Sequence, residues 1–352
     1  MSNLAEGQAG LGTDGRREAL GDRAVKAQSY ALPEVGSAAL ARHARIASVE
    51  RLRILAIFGI VWFHSENASG RSIGYAGLPI FLMLFYALSV RKSKPEDFFV
   101  FAKKKARRLL KPWIFWVVVY TVCMVAKQMM EGASVSKVFS NFIILAGPRI
   151  HLWYMPFAFL SGLLVNSLQR TTQRVSPRVL VLGGALAGGF LLFCCSTATT
   201  FITMMAVKWN TPSPQWIFAL PAIPLGFSIG RVYSSFGGQV RRQRLLYLCI
   251  VVAVEVVCVT MLCFHYVQLI IPYGIAIVFV CVAFLGKARC SETLLKLSSV
   301  TFGIYLIHPL IGSIFDFSGL CTAYPFVTIT TIFIVSALII MVLQKTPLKQ
   351  FV

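Results

Sequence analysis

A chain of 352 residues that is 57% hydrophobic and only 13% charged, with a mean hydropathy of +0.73, is too poor in charge for a soluble domain, where about a quarter of residues would be charged. It reads as a polytopic membrane protein, with chain enough for roughly ten helices of ~20 residues. The net charge of +21 does not point to nucleic acid, because the basic residues sit in short loops between apolar runs without interleaved aromatics, a pattern that the positive-inside bias explains.

The first 46 residues hold six basic and five acidic residues and no apolar core. They read as a disordered cytoplasmic tail rather than a signal peptide. Residues 47–344 form the expected membrane domain and 345–352 a short cytoplasmic tail. The fold class is all-α and polytopic, with about ten transmembrane helices and both termini cytoplasmic. Nine cysteines lie mostly in apolar runs, show no metal-ligand spacing and read as packing residues, so no metal is expected.

Residues 51–70, RLRILAIFGIVWFHSENASG, open the membrane part. Arg53 and His64 stand ten residues apart in it. Eleven helical steps of ~100° bring the two side chains to one face, separated by a rise of about 16 Å. Ionisable groups in a spanning helix are costly and usually face a cavity or a substrate path. A snorkelling arginine and an interfacial histidine would satisfy the same pattern.

A second helix is expected over 72–90. Residues 91–111 then carry nine basic residues against Glu96 and Asp97, the densest basic cluster in the chain. The cluster reads either as a topology signal with affinity for anionic lipid or as a surface that holds phosphates. A third span over 112–126 would be opened by Pro112 at its first helical position. The fourth, over 151–168, places Trp153 and Tyr154 at interfacial height. Further spans follow over 179–207, over 209–230 with a kink at Pro221 and Pro224, over 245–264 around Glu255, over 266–286, over 297–315 with His308 and Pro309, and within 317–344. From an inside start, this order puts every arginine- or lysine-rich loop on one side. His64, His151, His265 and His308 fall in the opposite half.

Four motifs in this order, Arg53-x10-His64, KKKARRLLKPW at 103–113, HLWYMPF at 151–157 and YLIHPLI at 305–311, resemble the integral-membrane acyltransferase-3 family of the surface polysaccharide O-acetyltransferase type. The resemblance covers about residues 47–344. It implies transfer of an acyl group, commonly acetyl, from cytoplasmic acyl-CoA (acetyl-CoA) to a sugar hydroxyl of an exported or surface glycan, at the bacterial inner membrane. It also implies that Arg53 and His64 are required, and it sets the family's Arg-x-x-Arg element on Lys105 and Arg108. Lysine at the first position keeps the charge but not the bidentate fork. In the second helix, Phe85-Tyr86 stand where relatives commonly carry Ser-Gly.

On this reading His64 is the base that takes the proton of the attacking hydroxyl, with Glu66 as an orienting carboxylate. Lys104, Lys105, Arg107 and Arg108 hold the nucleotide phosphates, and Arg53 lines the path of the pantetheine arm. His308 is a second candidate base or a satisfied core histidine. Glu255 serves a function or pairs with a polar group on another helix. Trp153 and Tyr154 stack on a sugar or belong to an interfacial belt. The expected partners are the lipid bilayer, the glycan acceptor and the machinery of polysaccharide synthesis or export, with no nucleic acid. Two other classes fit the composition: a transporter or flippase for a glycan or lipid-linked intermediate, and a non-catalytic subunit of a polysaccharide synthase complex.

Overall fold

The computed structural model describes residues 45–65, 68–90, 95–140, 143, 145–209, 211–236, parts of 243–258, 267–286, 290–317 and 324–352. The expected N-terminal tail and Glu66 lie outside them. Among the described residues the regular elements are all helical, and the only β feature is an isolated bridge between Ile143 and Gly147. The helices are α1 (Ala47–Phe63), α2 (Arg71–Gly74), α3 (Gly77–Val90), α4 (Phe98–Met130), α5 (Ser136–Ser140), α6 (Tyr154–Thr171), α7 (Pro177–Trp209), α8 (Ser213–Ala219), α9 (Ala222–Ser235), α10 (Val267–Leu285), α11 (Glu292–Ser299), α12 (Thr301–Phe317) and α13 (Pro325–Leu343). Short 3-10 turns occupy Ile150–Trp153 and Pro347–Phe351.

Five stretches are long and apolar enough to cross a membrane: Arg71–Val90, Phe98–Met130, Pro177–Cys195, Ser213–Ser235 and Pro325–Leu343. A sixth results if α11 and α12, bent by 49° against each other, count as one span. The ten spans expected from hydropathy are thus only partly matched among the described residues. Helix α1 has 17 residues and carries Glu50, Arg51 and Arg53 in its first half. Helix α6 buries Ser161, Asn166 and Gln169, so protein rather than lipid surrounds much of it. The span expected over 245–264 lies largely outside the described residues.

Pro112 corrects a second expectation. It does not open a helix; it sits inside α4, which runs unbroken for 33 residues. A proline in that place removes the N–H that would bond the Arg108 carbonyl, at the cost of one helical hydrogen bond. The ring is buried among neighbouring side chains. At 1.5 Å per residue α4 is about 50 Å long, well beyond the ~30 Å of a hydrocarbon core. Its first turns, with Lys103, Lys104, Lys105, Arg107 and Arg108, are therefore a helical face and not a loop. Asp97 caps this end, accepting hydrogen bonds from the N–H groups of Phe99 at 3.0 Å and Val100 at 3.3 Å. The Val100 N–H, helped by Phe99 and Arg170, holds the Asp97 carboxyl below the ordinary carboxylate range.

The core is built around α3, GLPIFLMLFYALSV, which is apolar on nearly every side and buried accordingly. It packs against α1, α6, α9 and α10. The backbones of α3 and α9 meet where glycines allow it. A Cβ on Gly226 would lie 2.8 Å from the Met83 carbonyl oxygen and 3.0 Å from the Met83 Cα. At the far end of the chain, the turn at Pro347–Phe351 is not a free tail. The Trp116 indole donates to the Phe351 carbonyl at 2.9 Å, Phe351 stacks on Phe115 with centroids 4.4 Å apart, and Lys111 donates to the Gln350 side-chain oxygen at 2.7 Å.

Gly226→Val is expected to force α3 and α9 apart and to destabilise the fold by about 1–3 kcal/mol, the range for overpacking. The check is the thermal midpoint in detergent. Gly183→Ala, where an added Cβ meets nothing within 4 Å, should leave that midpoint unchanged.

Candidate functional site

Two histidines acquire fixed roles from the helices that carry them. His64 follows the last residue of α1, and its backbone N–H closes the helical ladder on the Ile60 carbonyl at 3.3 Å. Its Nδ1 lies 2.8 Å from the Ile60 carbonyl. A carbonyl can only accept, so Nδ1 carries the proton and Nε2 presents a lone pair. His308 precedes Pro309, which has no N–H to offer the Tyr305 carbonyl one turn back. The Nδ1 of His308 takes up that carbonyl at 2.9 Å and the Ile304 carbonyl at 3.1 Å. The same tautomer results.

The two rings meet, with centroids 5.0 Å apart. His64 is exposed, whereas His308 is 2% exposed and its Nε2 has no hydrogen-bond partner among the described residues. A third imidazole, His151, lies 6.0 Å from His308 and is also buried, its Nε2 likewise without a partner among the described residues. The Tyr305 hydroxyl donates to the His151 carbonyl, and the Tyr120 hydroxyl donates to that of Leu306 at 2.7 Å, which pins α12 between the turn before α6 and α4. No group of three or more His, Cys, Asp or Glu among the described residues is arranged to hold a metal ion.

Arg53 stands at the other end of α1, three turns or about 16 Å away. Its guanidinium is paired with Glu50 at 3.1 Å and is 23% exposed. On α6 the Tyr154 side chain is buried. From there aromatic rings run toward the imidazoles: Tyr154 to Tyr305 at 5.2 Å, Tyr305 to His308 at 6.1 Å, then His308 to His64. Consecutive ring contacts thus link Tyr154 on α6 to the exposed His64.

The remaining candidates divide. Lys104 is tied to Glu96 at 3.0 Å, while Arg107 is exposed. The Lys105 ammonium sits over the Phe85 ring at 4.1 Å and near Phe101 at 5.3 Å, a cation–π arrangement. The Phe85-Tyr86 departure therefore has a local logic. Phe85 supports the lysine, and the Tyr86 hydroxyl shares a hydrogen bond with Ser161 at 2.7 Å. Trp153 and Tyr154, at 4% and 3% exposure, are core residues rather than a lipid-facing belt. Glu255 is buried, with neither carboxylate oxygen hydrogen-bonded among the described residues. It lies beside Gly188 of α7.

A family model described as an acyltransferase domain, Acyl_transf_3, matches residues 46–344. The chain belongs to the acyltransferase-3 family. Comparison with curated proteins and with solved structures gives no match. Within this acyltransferase-3 chain, sequence reasoning passed over Glu50, Tyr120, His151 and Tyr305 as site residues. Glu50 carried a signal, its i,i+3 spacing from Arg53. His151 and Tyr305 stood inside two of the motifs, but their convergence depends on the turn before α6 meeting α12.

The contrast in exposure predicts an order of reaction. Diethyl pyrocarbonate should carbethoxylate His64 well before His308 and His151, as read by peptide mass spectrometry over a time course. Equal rates for the three would contradict the arrangement.

Proposed function

We propose that this acyltransferase-3 chain moves a short acyl group, most simply acetyl, from acyl-CoA at the Arg53 and α4 end to a hydroxyl of an exported or surface glycan at the His64 end, within the bacterial inner membrane. The observation that carries this reading is the state of His64. It is exposed, its Nδ1–H is committed to Ile60, and its Nε2 is left as a base at the end of a helix whose other end bears a cation. A glycan hydroxyl is a poor nucleophile at neutral pH, and a positioned imidazole makes up for that.

In the proposed step, the hydroxyl oxygen attacks the thioester carbonyl as His64 Nε2 takes its proton. The tetrahedral intermediate collapses with cleavage of the carbon–sulfur bond, and the leaving thiolate takes the proton back from the imidazolium. An ester and free thiol result, and the histidine is returned unchanged. Arg53, Arg107, Arg108, Lys104 and Lys105 supply positive charge for the phosphates of the donor. His308, shielded from the acceptor by burial, holds the His64 ring in place and keeps a second basic nitrogen behind it.

The test is the acetyl content of the host's surface polysaccharide, released by mild base, in a deletion strain complemented with wild type or His64→Ala. Wild type should restore acetylation. The variant, present in the membrane at equal amount, should lose about 10²-fold or more in rate, the usual contribution of a general base. Full acetylation with His64→Ala would remove the base from the mechanism, and acetylation independent of the gene would favour a transport or subunit role.

A further inference from the structure

Arg53 is held from behind by a carboxylate that no motif includes. Glu50 lies one turn earlier on α1 and is 5% exposed. Its Oε2 accepts from Arg53 Nη1 at 3.1 Å and also from the Ser298 hydroxyl. Ser298 is fully buried, and its carbonyl in turn accepts from the Thr301 hydroxyl, likewise fully buried, at 2.8 Å. These residues form the break at Val300, where α11 and α12 meet at 49°. A second bond holds the start of α1 nearby, from the Ser48 hydroxyl to the Ala283 carbonyl at 2.5 Å.

We propose that Glu50 is a positioning residue for Arg53, aiming its guanidinium at the acyl donor from an anchor on Ser298. This rests on the reading above that Arg53 serves the donor side. An arginine side chain has four rotatable bonds, and on a helix it sweeps a wide arc unless something fixes it. A carboxylate at i−3 fixes it only if the carboxylate is fixed as well, and the buried Ser298 hydroxyl supplies that restraint. The bond to Glu50 uses Nη1, and the fork offers further donors at Nη2 and Nε for a phosphate. The same carboxylate oxygen bonds the bend that starts α12, the helix of Tyr305 and His308. One acidic group therefore sets the donor-side cation and the helix of the second imidazole in a common frame.

The experiment measures binding of radiolabelled acetyl-CoA to the full-length protein in nanodiscs. Glu50→Gln should raise Kd about tenfold, as loss of one well-placed charge-assisted contact would. Glu50→Asp, which keeps the charge, should recover part of that loss. Glu50→Gln combined with Arg53→Ala should bind no more weakly than Arg53→Ala alone, because the acid acts through the arginine. A merely structural acid would lower the amount of folded protein and the thermal midpoint, leave Kd of the folded fraction unchanged, and add its effect to that of Arg53→Ala. Wild-type Kd in Glu50→Gln, or additive losses in the double variant, overturns the role of Glu50 while leaving the donor assignment intact. Wild-type protein that binds no acetyl-CoA overturns the donor assignment, and the positioning role with it.

Discussion

A helix enclosed by apolar side chains has no water to take up a carbonyl that its own ladder leaves open, so a nearby side chain must do it. His308 is placed where this need arises. Tyr305 is open because Pro309 has no N–H, whereas the Ile60 carbonyl already accepts from the His64 backbone N–H and takes the ring N–H as a second donor. In each case Nδ1 of the histidine bonds a backbone carbonyl, and the tautomer that presents the Nε2 lone pair follows from that bond. The backbone thus sets the tautomer of both rings. The adjacency of His308 and Pro309 in the sequence has the same origin: the residue that breaks the bond stands next to the residue that repairs it.

The rest of the site hangs on how tightly α3 draws its neighbours together. Close contact of α3 with α1 and α9 places α1 amid α3, α10, α12 and α13. Only then do Tyr154 on α6, Tyr305 and His308 on α12 and His64 after α1 come into consecutive ring contact.

The part of the site carried by one helix was legible in the sequence, because the 3.6-residue period alone puts Arg53 and His64 on a common face. The all-helical class was legible for the same reason, through long uncharged runs. What depends on partners between helices was not. Nothing local to Glu50 announces Ser298, 248 residues away, and nothing in HLWYMPF tells that its histidine will stand behind that of YLIHPLI. Trp153 and Tyr154 looked interfacial because aromatic residues at a span's end often are, yet packing claimed both. Pro112 misled in another way. A proline is cheap at a helix start, but the cost of one lost bond in the interior was outweighed by a buried ring and by 33 residues of continuous helix. The count of ten spans rested on hydropathy, whereas α1 has 17 residues with three charges in its first half and α6 buries Ser161, Asn166 and Gln169.

The turn at Pro347–Phe351 grips α4 through Trp116 and Phe115, across a separation of 235 residues. Helix α4 is made and inserted long before its clasp exists. The contacts of Lys111, Phe115 and Trp116 with this turn therefore form only after every later helix has been made, a closure of long sequence separation that slows the last step of assembly. The last residues to be synthesised thus complete the packing of one of the first long helices.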